Sequence, residues 1–272
     1  MFQPTISDYF RNNIYTYLID MNKFIYCLII LFWGINSIIA QESPKNGANL
    51  NPGFIIGFSY GYGFPDGNLK TRFGNNFNIG ISPHFYFNNS NFYAGLDASY
   101  LFGTDVKTNP LTNLTDINGQ LISVDRSYAS LTLDERGFLV GLNIGKIIPF
   151  NQNKRSGLKV QAGGYIFRHW IHFQKDFGIL PQLEGEYLKG YDRLTGGITL
   201  NEFIGYQYLK KNSKINFYIG LDMYQGFTKS LRKYNYDLAD YDLDNRNDIL
   251  WGIKAGWILP IYIENHPEEI YY

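Results

Sequence analysis

The chain has 272 residues, with 24 Lys and Arg against 24 Asp and Glu, and the resulting zero net charge removes the electrostatic case for nucleic acid as a partner. Aromatic residues make up 18%, with 23 Tyr and 21 Phe beside 28 Gly, which favours an all-β membrane protein over an α/β enzyme. The single cysteine, Cys27, lies in an N-terminal apolar run, so past that run there is no disulfide, thiol nucleophile or thiolate metal site.

From Met21 the chain reads MNKFIYCLIILFWGINSIIAQ: Lys23, an apolar run, then Ala40 before polar Gln41. This is the layout of a secretory signal peptide over residues 21–40, with removal expected near Ala40. The run falls short of the ~20 residues a spanning helix needs. Residues 1–20 read as an upstream extension, and Cys27 has more than ten residues of the run still to follow it, which speaks against lipoprotein attachment. Residues 41–52 form a polar periplasmic leader.

Eight stretches then alternate with a period of two, as strands do, because successive side chains leave opposite faces. In Gly53 to Phe64, Phe54, Ile56, Phe58, Tyr60, Tyr62 and Phe64 oppose Gly57, Ser59, Gly61 and Gly63. A loop with Pro65, Asp66 and Gly67 leads to Asn76 to Phe87, where Pro83 shares the apolar face and costs a ladder hydrogen bond unless a bulge absorbs it. Asn88 to Asn91 is a tight turn into Phe92 to Phe102, which places Tyr93, Gly95, Asp97 and Ser99 inward. A long polar connection, Gly103 to Arg136, contains enough alternation over Gln120 to Leu133 for a hairpin beyond the membrane.

The fourth strand is expected over Gly137 to Phe150, with Lys146 on the apolar side but near the end, where it can snorkel. The fifth runs from Leu158 to His169 and is followed by a long connection, Trp170 to Thr195. The sixth, Gly196 to Leu209, carries Glu202 among Ile198, Leu200, Ile204, Tyr206 and Tyr208, so either a bulge shifts the parity or a carboxylate faces lipid. The seventh spans Ile215 to Gly226, and Phe227 to Arg246 is the last long connection. The eighth, Asn247 to Ile263, sets Ile249, Trp251, Ile253, Ala255, Trp257, Leu259, Ile261 and Ile263 against Asp248, Gly252, Lys254 and Gly256. A tilted membrane strand needs ~9–11 residues, apolar to lipid and polar to the lumen, which each of these supplies.

Connections alternate long and short, which fits an eight-stranded antiparallel up-and-down transmembrane β-barrel with periplasmic short turns and extracellular long loops. The barrel is expected over residues 53–263, followed by a periplasmic tail, 264–272. On its glycine- and tyrosine-rich strands, such as GFIIGFSYGYGF, and its aromatic end, IYY, the chain resembles the small eight-stranded outer-membrane barrels of the OmpA and OmpX type and their Bacteroidota relatives. That resemblance covers about Gly53 to Ile263 and implies a fold and an outer-membrane address without a reaction. The tail past the last strand departs from the family pattern.

An eight-stranded barrel has an interior that side chains fill. The inward charges at mid-depth are Asp97, Asp222 and Lys254, with His84 near them, and an ion pair is expected between Asp222 and Lys254. These read as a structural plug, the gated channel being the functional rival. Acyl chemistry on lipid A, implied by the resemblance, would need a Ser or His with an orienting carboxylate. The candidates are His84, His169, His172 and His266, with Glu184 and Glu186 in the loop beyond RHWIH, and the plainer reading is an interfacial cluster.

In DYDLDNRND, Asp240, Asp242 and Asp244 are spaced like a calcium loop, but Asn245 replaces the turn glycine and Trp251 stands where the closing Glu belongs. With Arg232, Lys233 and Tyr234 just before, the segment reads as a polar and aromatic loop that could dock a protein or a surface polysaccharide. The sequence thus points to a non-enzymatic barrel without cofactor or metal. Its expected surroundings are outer-membrane lipid and lipopolysaccharide, and it is read as a structural or accessory subunit of an assembly such as a secretion or gliding machine. A lipid-A enzyme and a loop-mediated binding or adhesion barrel are the alternatives.

Overall fold

The computed structural model describes residues 53–87, 90–150, 153–210 and 215–262. The expected extension, signal peptide, leader and tail, with His266 and Tyr272, lie outside the described residues, as do parts of the three short turns. The strands are β1 (Gly53–Asp66), β2 (Asn76–Tyr86), β3 (Phe92–Gly103), β4 (Leu121–Ile122), β5 (Tyr128–Pro149), β6 (Gly157–Phe177), β7 (Thr195–Tyr208), β8 (Phe217–Ser230), β9 (Tyr234–Asn235), β10 (Asp240–Tyr241) and β11 (Asn245–Tyr262). Eight of them, β1, β2, β3, β5, β6, β7, β8 and β11, pair antiparallel with their neighbours in a ring, and β1 closes on β11 from Gly53 opposite Tyr262 to Asp66 opposite Ile249. The chain is a closed transmembrane β-barrel.

The ladders define how the ring is staggered. A row that starts at Phe54 passes through Phe85, Ala94, Ile144, Ala162, Glu202, Met223 and Trp251 and returns to β1 at Phe64, ten residues further along (64 against 54). Such a stagger tilts the strands and, with eight of them, leaves a bore that side chains occupy. The same row consists of outward-facing residues, and Glu202 is its one ionisable member. Pro83 is accommodated without a bulge: the β2–β3 ladder keeps one register on either side and omits Ser82 and Pro83, while the β1–β2 ladder runs through both.

Two expectations of extent are corrected. The last part of the connection ending at Arg136 and the first part of the one beginning at Trp170 are strand, because β5 and β6 continue as a hairpin to Ser130 opposite Phe177, with one register shift near Ser130. The expected hairpin over Gln120 to Leu133 is present but short: the two residues of β4 pair antiparallel with Tyr128 and Ala129 at the start of β5. A six-residue helix, Gly67–Arg72, follows β1, with Leu69 and Arg72 buried. Gly67 there has φ +58°, and a Cβ on it would meet the Asn247 carbonyl at 2.4 Å, so this tight turn requires glycine.

Inside, a lower apolar cluster contains Ile55, Tyr86, Tyr93, Ile147, Phe203, Leu209, Tyr218 and Ile258. An upper one, reaching into the loops, includes Leu69, Phe73, Leu101, Leu139, Phe167, Ile171, Leu183 and Leu250. Outside, the wall presents exposed Ile79, Leu96, Leu142, Ile144, Ile166, Ile198, Ile204, Leu221 and Ile253. The β6–β7 and β7–β8 ladders pass Glu202 with no register shift, opposite Ala162 and Met223. The carboxyl therefore stays on the lipid side at mid-depth. Replacing it by Leu in the isolated barrel is expected to raise stability by roughly 1–2 kcal/mol, as removal of an ionisable group from the lipid face should. Denaturant unfolding in lipid vesicles measures this, and a loss of stability would contradict the placement.

Candidate functional site

Between the two apolar clusters lies a polar belt. Inward positions on β2 and β3 bring His84 Nε2 to 3.0 Å from Asp97 Oδ1. The other Asp97 oxygen accepts from Tyr165 OH at 2.6 Å and from Gln161 Nε2 at 3.1 Å. Gly95 makes this possible, since a Cβ there would sit 2.3 Å from the His84 ring. On the other side, Lys254 Nζ lies 2.6 Å from Asp222 Oδ2 and donates to Tyr224 OH at 2.8 Å. The pairing is diagonal, because Gly252 is directly opposite Asp222 and Lys254 opposite Gly220.

Lys159 is a further buried charge that sequence reasoning missed. Its Nζ lies 4.4 Å from the ring centroid of Tyr218, 5.0 Å from that of Tyr93 and 5.8 Å from that of Phe203, a cation–π cage. Alternation from Leu158 would have placed Lys159, Gln161, Tyr165 and Phe167 on the inner face. The belt thus sets Asp97 and Asp222 against Lys159 and Lys254, all buried, so opposite charges balance and each has a polar or aromatic neighbour.

At the mouth where the long connections meet, the expectation of a histidine girdle is corrected. His169 faces inward and is buried, with Nε2 at 3.0 Å from Asp248 Oδ2, whereas His172 is exposed on the outside. Asp248 also accepts from Thr228 Oγ1 at 2.5 Å and lies 3.8 Å from Arg72. A His–Asp pair of this kind invites comparison with hydrolytic dyads, in which the free ring nitrogen contacts a nucleophile. Here His169 Nδ1 has no hydrogen-bond partner among the described residues. Glu184 and Glu186 pair with Lys175 and Lys189, so neither orients a histidine.

Above the mouth the loops form a cross-braced cap. Arg232 forks onto Asp192 at 3.0 and 2.6 Å, Arg193 pairs with Asp237, and Arg246 reaches both oxygens of Asp242 at 2.5 and 2.6 Å. Asn235 donates to Asp242 at 3.1 Å, and β9 pairs with β10, where Tyr234 meets Tyr241 edge-on. The loop surface expected from the sequence is therefore divided. Arg232 and Asp242 are spent on internal bridges, while Lys233, Asp240 and Asp244 are exposed. Among the described residues no three His, Cys, Asp or Glu side chains converge as a metal site would require. Burial opposes ionisation of Asp242, but hydrogen bonds from Arg246 and Asn235 outweigh it and hold the carboxyl below its ordinary range. The Asp192 hydrogen bonds raise Arg232 above its usual value.

No protein-family model and no curated protein matches the sequence. Among solved structures the chain is similar to Neisserial surface protein A, with a TM-score of 0.41, 11% identity, and 76% of this chain and 96% of that one covered. It is similar to Ail, the attachment invasion locus protein of Yersinia pestis, in complex with the heparin analogue sucrose octasulfate (TM-score 0.35, 12% identity, 77% and 100% covered). A third likeness is to the transport unit of the autotransporter AIDA-I from Escherichia coli (TM-score 0.33, 14% identity, 85% and 77% covered). Scores this low carry no inference about what the chain binds or does, and the fold is read from its own ladders.

Lys254→Met is expected to cost about 3–5 kcal/mol by stranding Asp222, and adding Asp222→Asn should restore most of it. Paired unfolding midpoints test the coupling, and independent effects would argue against the ion pair. In the cap, a depressed carboxyl contributes stability above its unfolded value that is lost as pH falls through the folded one, and a raised guanidinium does the reverse at high pH. Protease protection of the Phe227 to Arg246 segment should thus be level from pH 5 to 9, as estimated from ordinary carboxylate and arginine ranges of about 4 and above 12. It should fall below about pH 4, and a loss near neutrality would contradict these bridges.

Proposed function

We propose that the chain is a non-enzymatic outer-membrane barrel, closed to solutes, that serves as a structural or accessory subunit of a larger outer-membrane assembly. Glu202 carries this reading. A carboxyl on the lipid face is unfavourable alone and becomes acceptable when a neighbour in the membrane supplies a donor. Beside it on β6 the wall is low: Ala162 lies directly opposite, and a Cβ added at Gly164 would meet nothing within 4 Å. Small residues let another wall approach closely.

The interior supports the same reading. Two apolar clusters enclose a belt of paired charges, which suits a plug better than a path for solutes. The undonated Nδ1 of His169 argues against a hydrolytic role on lipid A. The segment 21–40 reads as the signal that sends the chain to the periplasm, with release near Ala40. Lipopolysaccharide would then surround the wall, and a secretion or gliding complex is one assembly of the required kind.

Purification from native membranes in mild detergent should bring down a stoichiometric membrane partner with the wild-type barrel, and Glu202→Leu should lose it while keeping its heat-dependent gel mobility. Planar bilayers containing the purified barrel should show no steady conductance. A solitary barrel whose deletion alters lipid A would overturn the proposal in favour of an enzyme.

A further inference from the structure

Two cations stand side by side on the outer wall. Arg168 on β6 and Lys229 on β8 are each directly opposite Gly196 of β7, one on either side of it. All three share the outward parity of Glu202, and both cationic side chains are exposed. Gly196 lies six residues beyond Glu202 on the same strand (202 against 196), which at ~3.3 Å per residue and a tilt of ~35–45° puts it about 15 Å above mid-depth. An apolar band ~25 Å tall ends close to that level, so the pair stands where lipid headgroups begin.

The charge accounting separates these two from their neighbours. Arg136, also at this rim, is held by Asp134 at 2.8 Å, and the cap arginines Arg193, Arg232 and Arg246 each have an aspartate. Among the described residues neither Arg168 nor Lys229 is in an ion pair. Arg168 rests against the Phe138 ring, 5.8 Å from its centroid, a contact that leaves its N–H groups undonated. A Cβ on Gly196 would meet Arg168 Cγ at 2.9 Å and Leu231 Cδ1 at 3.0 Å, so glycine lets the Arg168 stem lie on β7, one stave from Lys229. Asn245, exposed and opposite Lys229 on β11, adds an amide to the same row.

We infer that Arg168 and Lys229 bind the phosphate monoester of a membrane lipid. The pair is on a face that meets lipid at headgroup depth, which favours a headgroup over a free anion. Two unpaired cations match a phosphate monoester, which carries about −1.5 to −2 near neutrality, better than they match the single charge of a diester. The guanidinium presents a planar fork to two phosphate oxygens, and the ammonium adds a point charge. The inference is independent of any partner at Glu202.

Native mass spectrometry of the full chain in neutral-detergent micelles, doped with one lipid at a time, tests it. Phosphatidic acid should stay bound at one per barrel, phosphatidylglycerol should be retained several times less, and excess inorganic phosphate should not displace the lipid. Arg168→Gln and Lys229→Gln should each weaken retention roughly tenfold, as loss of a charged hydrogen bond does. Lys233→Gln, exposed in the cap, should leave it unchanged. Heat-dependent gel mobility confirms that each variant is folded. Equal retention of phosphatidylglycerol, displacement by inorganic phosphate, equal weakening by Lys233→Gln, or full retention by the double variant of Arg168 and Lys229 would each overturn the inference.

Discussion

Everything in this molecule depends on one constraint, that a chain inside hydrocarbon must satisfy its backbone N–H and C=O groups by itself. A sheet does so only by closing, and here the closure is the long ladder between β1 and β11. The ladder tolerates one local loss, at Ser82 and Pro83 between β2 and β3, because the register on each side is the same and the β1 side remains paired. Closure with a ten-residue stagger then decides the bore, and the bore decides that the interior is a core.

That core is layered. Apolar clusters occupy the two ends, and the charges Asp97, Asp222, Lys159 and Lys254 are held between them, where water is least available. Buried charges in such a place must be paired, and the belt is built accordingly. Because the lumen is full, the surfaces left for interaction are the wall and the cap. The wall carries a carboxyl at mid-depth, Glu202 beside Ala162 and Gly164, and the cap has a cavity in which arginines from three connections meet.

Much of this was legible in the sequence, for a particular reason. Within the bilayer each strand faces lipid on one side and lumen on the other, so a period of two has to be written into the residues, and the expected strands fall within a few residues of those observed. Glu202 was visible as a break in that pattern, and the unbroken β7 ladders decided between its two readings. Beyond the membrane no lipid enforces the alternation. There β5 and β6 continue as paired strand while their residues read as polar connection. His169 was misplaced for the same reason, since it sits where the lipid-enforced alternation ends and parity alone turns it inward.

The sequence by itself therefore determined the number of strands in the ring, their direction, which face meets lipid, and three of the four charges of the belt, because each of these is a local consequence of alternation and turn length. It named Asp222 and Lys254 as partners, since adjacent strands and equal depth are readable by counting. Only the tertiary structure decided what lies across the bore or between loops. Asp97 meets Tyr165 across the intervening stave β5, Lys159 finds its aromatic cage, and Arg72, Arg193 and Arg246 converge from parts of the chain far apart. Contacts of that kind depend on stagger and loop packing, which no local pattern encodes.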